Sequence, residues 1–475
     1  MNVLIISTNR NRFPMPVMPI GACLVAESAE RMGHRVAFLD MMFLQDPLGS
    51  VTAAIKETRP DVIGISVRNI DNNDRAGPVF FIDALRPLMA AIRRETDAVT
   101  ILGGAAVSVM PGEILEATGA DAAATGDGEM LFPQLLDRIS TNRSYDDLPG
   151  VVVPGGSPVH HAPRSPAGLG SECLAPAYSR WIDVRAYQEQ MATAPVQSKQ
   201  GCPFQCVYCT YRKIEGRTFR TADPAAVADR VAELAARGTR DIEFVDSVFN
   251  APADHAMEVC EVLARTRHKA RIQSLELNPT FFNDGLLTTM ERAGFVGYGL
   301  TVESASDPVL AGLRKGFTAA EVQNAADIVR RHKLPCAWIF LLGGPGETQE
   351  TVRETLRFAE RSIRKSDVVF FNIGIRIYPA TGLDNIARSQ GLLDLQREDM
   401  LAPVFYLSPE VDGGWLVSEV RGFMAGHMNV INADTLSLPI LPMVNRAGFR
   451  LGLRPPLWKH TRFIRRGLRM AGMDV

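Results

Sequence analysis

Three cysteines carry the clearest chemical signal in this chain of 475 residues. In SKQGCPFQCVYCTYRK, Cys202, Cys206 and Cys209 are spaced C-x3-C-x2-C, directly after an apolar run that reads as a strand. Thiolates this close in sequence can meet one metal centre from a single loop. Three of them on a four-iron cluster leave one iron without a protein ligand, and that iron can chelate the amino and carboxylate groups of a small molecule. Zinc would want a fourth Cys or His in a recognisable pair, and none follows. Cys23, Cys173, Cys260 and Cys336 lack such spacing and read as packed thiols.

The elements around that loop form a series. From about residue 193 the runs APVQSKQ, DIEFVDS, RIQSLELN, GYGLTVES, CAWIFLLGG and VVFFNIGIRIYP alternate with helical stretches such as PAAVADRVAELAARG and AAEVQNAADIVRRHK. Six strands with crossovers predict a partial (β/α)6 barrel of the TIM type, with functional groups at the C-terminal strand ends. Earlier in the chain, NVLIIST, RVAFLD, DVIGISV, TILGG and AAATG also alternate with amphipathic segments, predicting an α/β, doubly wound parallel sheet. Such sheets bind ligands where loops converge at the strand ends. Residues 145–190, containing VVVPGGSPVHHAPRSP, read as a hairpin followed by a strap. The expected units are therefore 1–144, a linker at 145–190, the barrel at 191–395, and a mainly helical segment at 396–475.

Composition narrows the class. Hydrophobic residues at 46% and charged residues at 22% suit a globular protein, and a formal net charge of −2 gives no global reason to expect nucleic acid. The sequence has no apolar run of about 18 residues and no signal-peptide pattern, and its seven cysteines suit a reducing compartment. A cytoplasmic location is expected.

The cysteine loop resembles that of the radical S-adenosylmethionine superfamily, including Tyr208 before the last cysteine. Along the barrel, Asp246 in FVDSVF, Glu303 in LTVESAS, and Gly343, Gly344 and Gly346 in LLGGPGET are similar to family positions around the cofactor. Arg376 and Tyr378 in RIYPATGL resemble the sixth-strand motif of the subgroup with an N-terminal cobalamin domain. The resemblance implies a 4Fe-4S cluster held by Cys202, Cys206 and Cys209. It also implies S-adenosylmethionine contacted by Tyr208, Asp246, Glu303, the three glycines and Arg376, and an external electron donor such as flavodoxin or ferredoxin. No catalytic residue is assigned.

Residues 1 to about 140 resemble that subgroup's flavodoxin-like cobalamin-binding domain, through PIGACLVAESAERMGHRVAFLD, ISVRNIDNND and LGGAAVSVMPGEIL. Gly103, Gly104, Ser108, Gly126, Asp127, Gly128 and Glu129 are the expected corrin-facing positions. The D-x-H-x-x-G motif is absent and His34 reads as structural, so Arg68 or Asn69 is the candidate beneath the metal. Between Met443 and Val475 there are eight Lys or Arg and one acid, interleaved with apolar side chains. That tail reads either as a helix packed on the barrel or as a peripheral contact with an anionic membrane. The resemblance implies a radical enzyme, expected to be a cobalamin-dependent C-methyltransferase acting on a small-molecule or lipid-like substrate. A non-methylating radical enzyme of the same architecture and a non-catalytic cobalamin or metal sensor are the alternatives.

Overall fold

The computed structural model describes residues 1–156, 168–394 and 400–470. Residues 157–167 of the expected linker, the expected boundary near 396 and the last five residues lie outside them. Aliphatic runs with both faces buried form the strands, as sheets covered by helices on two sides require. β1 (Asn2–Ser7), β2 (Arg35–Asp40), β3 (Val62–Ser66), β4 (Val99–Gly103) and β5 (Ala122–Ala124) pair in parallel in the order β2-β1-β3-β4-β5, the flavodoxin-like order. β6 (Val151–Val152) forms within the stretch expected to open with a hairpin. It pairs antiparallel with β5, satisfying that edge strand's backbone groups, and the second arm of the expected hairpin lies outside the described residues.

The remaining strands are β7 (Ala194–Val196), β8 (Lys199–Gln200), β9 (Arg220–Thr221), β10 (Asp241–Phe244), β11 (Arg271–Leu277), β12 (Phe295–Glu303), β13 (Cys336–Leu342), β14 (Val368–Ile373), β15 (Ile375–Arg376), β16 (Phe405–Tyr406) and β17 (Val430–Asn432). A parallel sheet runs β17-β14-β13-β12-β11-β10-β7, so it contains the six expected barrel strands and one more from the C-terminal segment. The expected sixth strand breaks at Gly374, whose φ is 78°, and its second half pairs antiparallel with β16. Alternation divides the sheet's two faces. Trp338 and Phe340 meet Phe358 of the helix Gln349–Ser362, whereas Ile339, Phe370 and Asn372 line a cavity on the other face.

The C-terminal segment is mainly helical, with helices Gly413–Gly426, Leu441–Arg450 and Thr461–Met470, and it closes one end of the barrel. Trp458 is buried against Gly297, where an added Cβ would lie 2.7 Å from the indole, and its Nε1 donates to Gln273 at 3.2 Å.

Buried polar links join the first sheet and its loops to the rest of the chain. Arg376 Nε donates to Asp71 Oδ2 at 2.9 Å, with both side chains almost fully buried, and the guanidinium also donates to the carbonyls of Ile377 and Met400. Arg220 grips Asp127 with bonds of 2.6 and 3.2 Å, and Tyr187 donates to Asp40 at 2.8 Å. Removing one partner of a buried pair strands the other charge, which costs about 3–5 kcal/mol, whereas replacing both by apolar groups is often neutral. Arg376→Met should therefore lower thermal stability sharply, and adding Asp71→Leu should recover much of the loss. Calorimetric melts of the single and double variants check this.

Candidate active site

The cysteine loop is anchored at both ends. Gly201 has φ 86°, and a Cβ there would lie 2.0 Å from the Thr218 carbonyl, so only glycine fits. Cys202 N donates to Gly216 O at 3.1 Å, Val207 N to Leu313 O at 3.1 Å, and Leu383 N to Val207 O at 2.8 Å. Cys202 is buried, while Cys206 and Cys209 are half-buried. Burial pushes all three thiols up. Neighbouring thiols add to this at Cys202 and at Cys209, which reaches about 12, while at Cys206 Lys315 opposes burial. Such a set of thiols is relieved by cationic metal, which favours the thiolate form. Among the described residues, no three His, Cys, Asp or Glu side chains gather tightly enough to hold one metal ion. A four-iron cluster takes one thiolate per iron and asks for no such convergence on a point. The donor set fits a cluster.

Tyr208 points from this loop to the end of β12. Its hydroxyl donates to Glu303 Oε1 at 2.6 Å, and Lys315 Nζ donates to the same oxygen at 2.8 Å. Glu303 adopts φ 61°, is buried, and leaves Oε2 with no hydrogen-bond partner. Burial alone would lower the Lys315 ammonium. Glu303 and the thiols of Cys206 and Cys209 outweigh that and hold it above its usual range. A buried acceptor without a donor is costly in isolation, so this oxygen suits a hydroxyl or ammonium supplied by a ligand. Glu276, the next-to-last residue of β11, was not singled out from the sequence. Burial and then Glu303 push its carboxyl up to about 7.

Two expected cofactor residues do other work. Asp246 is 1% exposed, and its oxygens accept from Ser198 N at 2.7 Å, Ser198 Oγ, and Lys199 N and Nζ at 3.2 and 3.1 Å. It locks the strand entering the cysteine loop and keeps no free acceptor for a ribose. Arg376 is committed to Asp71 and backbone carbonyls, because the polar loop after β3 brings a carboxylate to it. Tyr378 follows the same pattern, donating to Asn73 at 3.0 Å.

Gly343 and Gly346 have φ 92° and 83°, and Cβ atoms there would lie 2.3 Å from Leu407 and 2.9 Å from the Pro308 carbonyl. At Gly344 a Cβ would lie 3.1 Å from Leu313. Gly343 and Gly346 are thus demanded by the loop's own backbone conformation. Glu347 folds that loop back, accepting from Gly343 N at 3.0 Å and from Thr351 Oγ1 at 2.9 Å, and burial pushes it up to about 7.

The first sheet carries a second space. A cavity of about 500 Å³ is lined by Arg68, Asn69, Gly103, Gly104, Ser108 and Gly126, and by Asp127, Gly128 and Glu129. Gly104 has φ 102°, with the Val67 carbonyl 2.5 Å from an added Cβ, while Ser108 Oγ accepts from Gly126 N at 3.0 Å. Arg68 is enclosed by protein yet reached by solvent through the cavity, and it hydrogen-bonds the Asn69 amide. It has no ion pair among the described residues; burial lowers its pKa. Asp127 is taken by Arg220, and burial, then Asp127, raises the Glu129 carboxyl. The buried Asn9 Nδ2 in this wall lacks an acceptor, which suits a ligand rich in amide carbonyls. The barrel completes the wall with Gln197, Gln200, Thr210, Tyr211, Glu215 and Tyr378. Sequence periodicity does not show this, because these residues reach the cavity only through the packing of one sheet on the other.

Comparison with known proteins agrees with both halves. Residues 196–359 match the family described as the Radical SAM superfamily, and residues 6–136 match the B12 binding domain. A tryptophan 2-C-methyltransferase of Streptomyces laurentii is 24% identical over 438 residues, covering 79% of this chain and 73% of that protein. Among solved structures, the radical S-adenosylmethionine methyltransferase TsrM from Kitasatospora setae, with cobalamin and a [4Fe-4S] cluster bound, shares the fold. Its TM-score is 0.83 at 23% identity, covering 99% of each chain. The cobalamin-dependent radical enzyme OxsB, with aqua-cobalamin and S-adenosylmethionine bound, gives 0.69 at 14% identity, covering 99% of this chain and 75% of that one.

The raised carboxyls have a consequence for stability. Glu347 titrates near 4.5 when exposed and near 7 in the fold, so between these values the folded state binds the extra proton. Stability should therefore fall as pH rises from about 5 to 8, with Glu347 contributing on the order of 3 kcal/mol. Glu215 and Glu276, also near 7, act with the same sign. Glu347→Gln, neutral throughout, should flatten part of the slope in melts taken across that range.

Proposed function

We propose that this chain, which joins a B12-binding domain to a radical S-adenosylmethionine domain, is a cobalamin-dependent methyltransferase that methylates an unactivated carbon of a small-molecule or lipid-like substrate. The observation that carries this reading is the shared wall between the two sites. Thr210 and Tyr211, immediately after the last cysteine, line the cavity of the first sheet. Cluster loop and cavity are thus back to back. Bound there, the iron–sulfur cluster and cobalamin supply reductive cleavage of S-adenosylmethionine and carriage of a methyl group.

The chain's own residues orient and exclude. Glu303 Oε2 accepts from a hydroxyl or the ammonium of S-adenosylmethionine, while Tyr208 and Lys315 fix the other oxygen. Arg68 adds a positive charge to the cavity wall, and such a charge favours the lower oxidation state of a metal held beside it. The Glu276 carboxyl, which makes no side-chain hydrogen bond among the described residues, faces the same region as Glu303 and serves to hold a polar group of the substrate. Electrons come from an external donor of the flavodoxin or ferredoxin type.

The test supplies the anaerobically reconstituted enzyme with methyl-labelled S-adenosylmethionine, cobalamin, a reductant and fractionated small-molecule extract. S-Adenosylhomocysteine, deoxyadenosine and a carbon-labelled product should appear together. Deoxyadenosine without S-adenosylhomocysteine or labelled product would instead support cyclisation, rearrangement or oxidation. Glu303→Gln should weaken S-adenosylmethionine binding about tenfold or more at unchanged iron content, because it exchanges a charged acceptor for a neutral one.

A further inference from the structure

An apolar cavity of about 320 Å³ lies between the barrel sheet and the C-terminal helices. Leu275, Ile339 and Phe370 face Leu441, Trp458 and Ile464 across it. Its polar wall groups are already engaged. Arg465 is spent on the carbonyls of His427 and Val430, Thr461 donates to Trp458 O at 2.7 Å, and Asn372 donates to Phe340 O at 3.2 Å. A space so lined favours hydrocarbon.

The helices over this cavity expose cationic and large apolar side chains together on their outer faces. In Thr461–Met470, Arg462, Phe463, Arg466 and Met470 recur at helical spacing and are exposed, with Phe463 at 78% and Met470 at 82%. In Leu441–Arg450 the exposed positions include Met443, Arg446 and Arg450, and Leu451 follows at 85%. From Leu436 to Met470 the sequence has eight Lys or Arg and no acid, in a chain whose net charge is −2. Arg450, Arg462 and Arg466 have no ion pair among the described residues, so their charge is available. Arginines alone would also suit nucleic acid. Large aliphatic side chains exposed beside them gain nothing from phosphates, whereas a bilayer buries them.

We propose that the helices Leu441–Arg450 and Thr461–Met470 form a docking face for an anionic lipid bilayer, and that the apolar cavity beneath them receives the hydrocarbon part of a substrate presented by that membrane. The substrate half rests on the function proposed above; the bilayer half does not. No helix among the described residues is long and apolar enough to cross a membrane, so the contact is interfacial.

Sedimentation of the reconstituted holoenzyme with phosphatidylcholine vesicles, and with vesicles of equal parts phosphatidylcholine and phosphatidylglycerol, tests this. The enzyme should partition to the anionic vesicles only, and less so as salt is raised. At about fivefold per arginine lost, the double variant Arg462→Glu/Arg466→Glu should bind at least about 25-fold more weakly. Phe463→Ser should bind several-fold more weakly, and both variants should keep wild-type iron content and circular dichroism. No partitioning, equal partitioning to neutral vesicles, unchanged binding by the double variant, or retention of RNA in place of vesicles would each overturn the proposal. Cys206→Ser should abolish deoxyadenosine formation while leaving vesicle binding intact, which separates failure of this proposal from failure of the radical mechanism.

Discussion

A phenol and an ammonium meet one oxygen of Glu303 in a region closed to water. Much of the site depends on that junction. Tyr208 belongs to the cysteine loop, Glu303 ends β12, and Lys315 lies beyond the next helix, so the bonds of 2.6 and 2.8 Å tie the thiols to the barrel. Charge-assisted bonds in a low-dielectric setting are strong and directional. They hold one carboxylate oxygen and leave the other, Oε2, without a donor. A second buried lock, Asp246 with Ser198 and Lys199, fixes where the loop begins. Between them the three cysteines have little freedom, which is what ligation of a cluster from one short loop requires.

The second constraint acts between the sheets. Arg376 with Asp71, and Arg220 with Asp127, are buried ion pairs that join loops of the first sheet to short strands beside the barrel. Their value lies in register as much as in stability, since they place the cavity of the first sheet against the end of the cysteine loop. The C-terminal segment adds a third wall, with Trp458 closing one end of the barrel and β17 extending the sheet. In this way, residues from three stretches of the chain enclose two polar sites and one apolar space.

Much of this was legible in the sequence, and for physical reasons. Parallel strands buried on both faces are continuous aliphatic runs, so the first five strands and the six barrel strands stand out between amphipathic helices. The short strands β9, β16 and β17 were not legible, because two or three residues outside a longer apolar run have no period to detect. The loop glycines and Ser108 were identifiable as cavity positions because they follow predicted strand ends, where α/β sheets place ligands. Asp246 and Arg376 were assigned to a cofactor because a polar residue at a strand end reads the same whether it faces a ligand or a buried partner. Asp71, the partner of Arg376, lies 305 residues away. Lys315, Glu276 and Arg220 carried no local signal at all; burial and long-range neighbours make them matter.

The central claim is that three thiols from one loop hold a cluster with an iron open to S-adenosylmethionine beside Glu303. Electron paramagnetic resonance of the anaerobically reconstituted and reduced protein tests it most directly. The predicted result is the signal of a reduced four-iron cluster that changes when S-adenosylmethionine is added and vanishes in Cys209→Ser. Iron retained with no cluster signal, or a signal that S-adenosylmethionine leaves unmoved, would contradict the account.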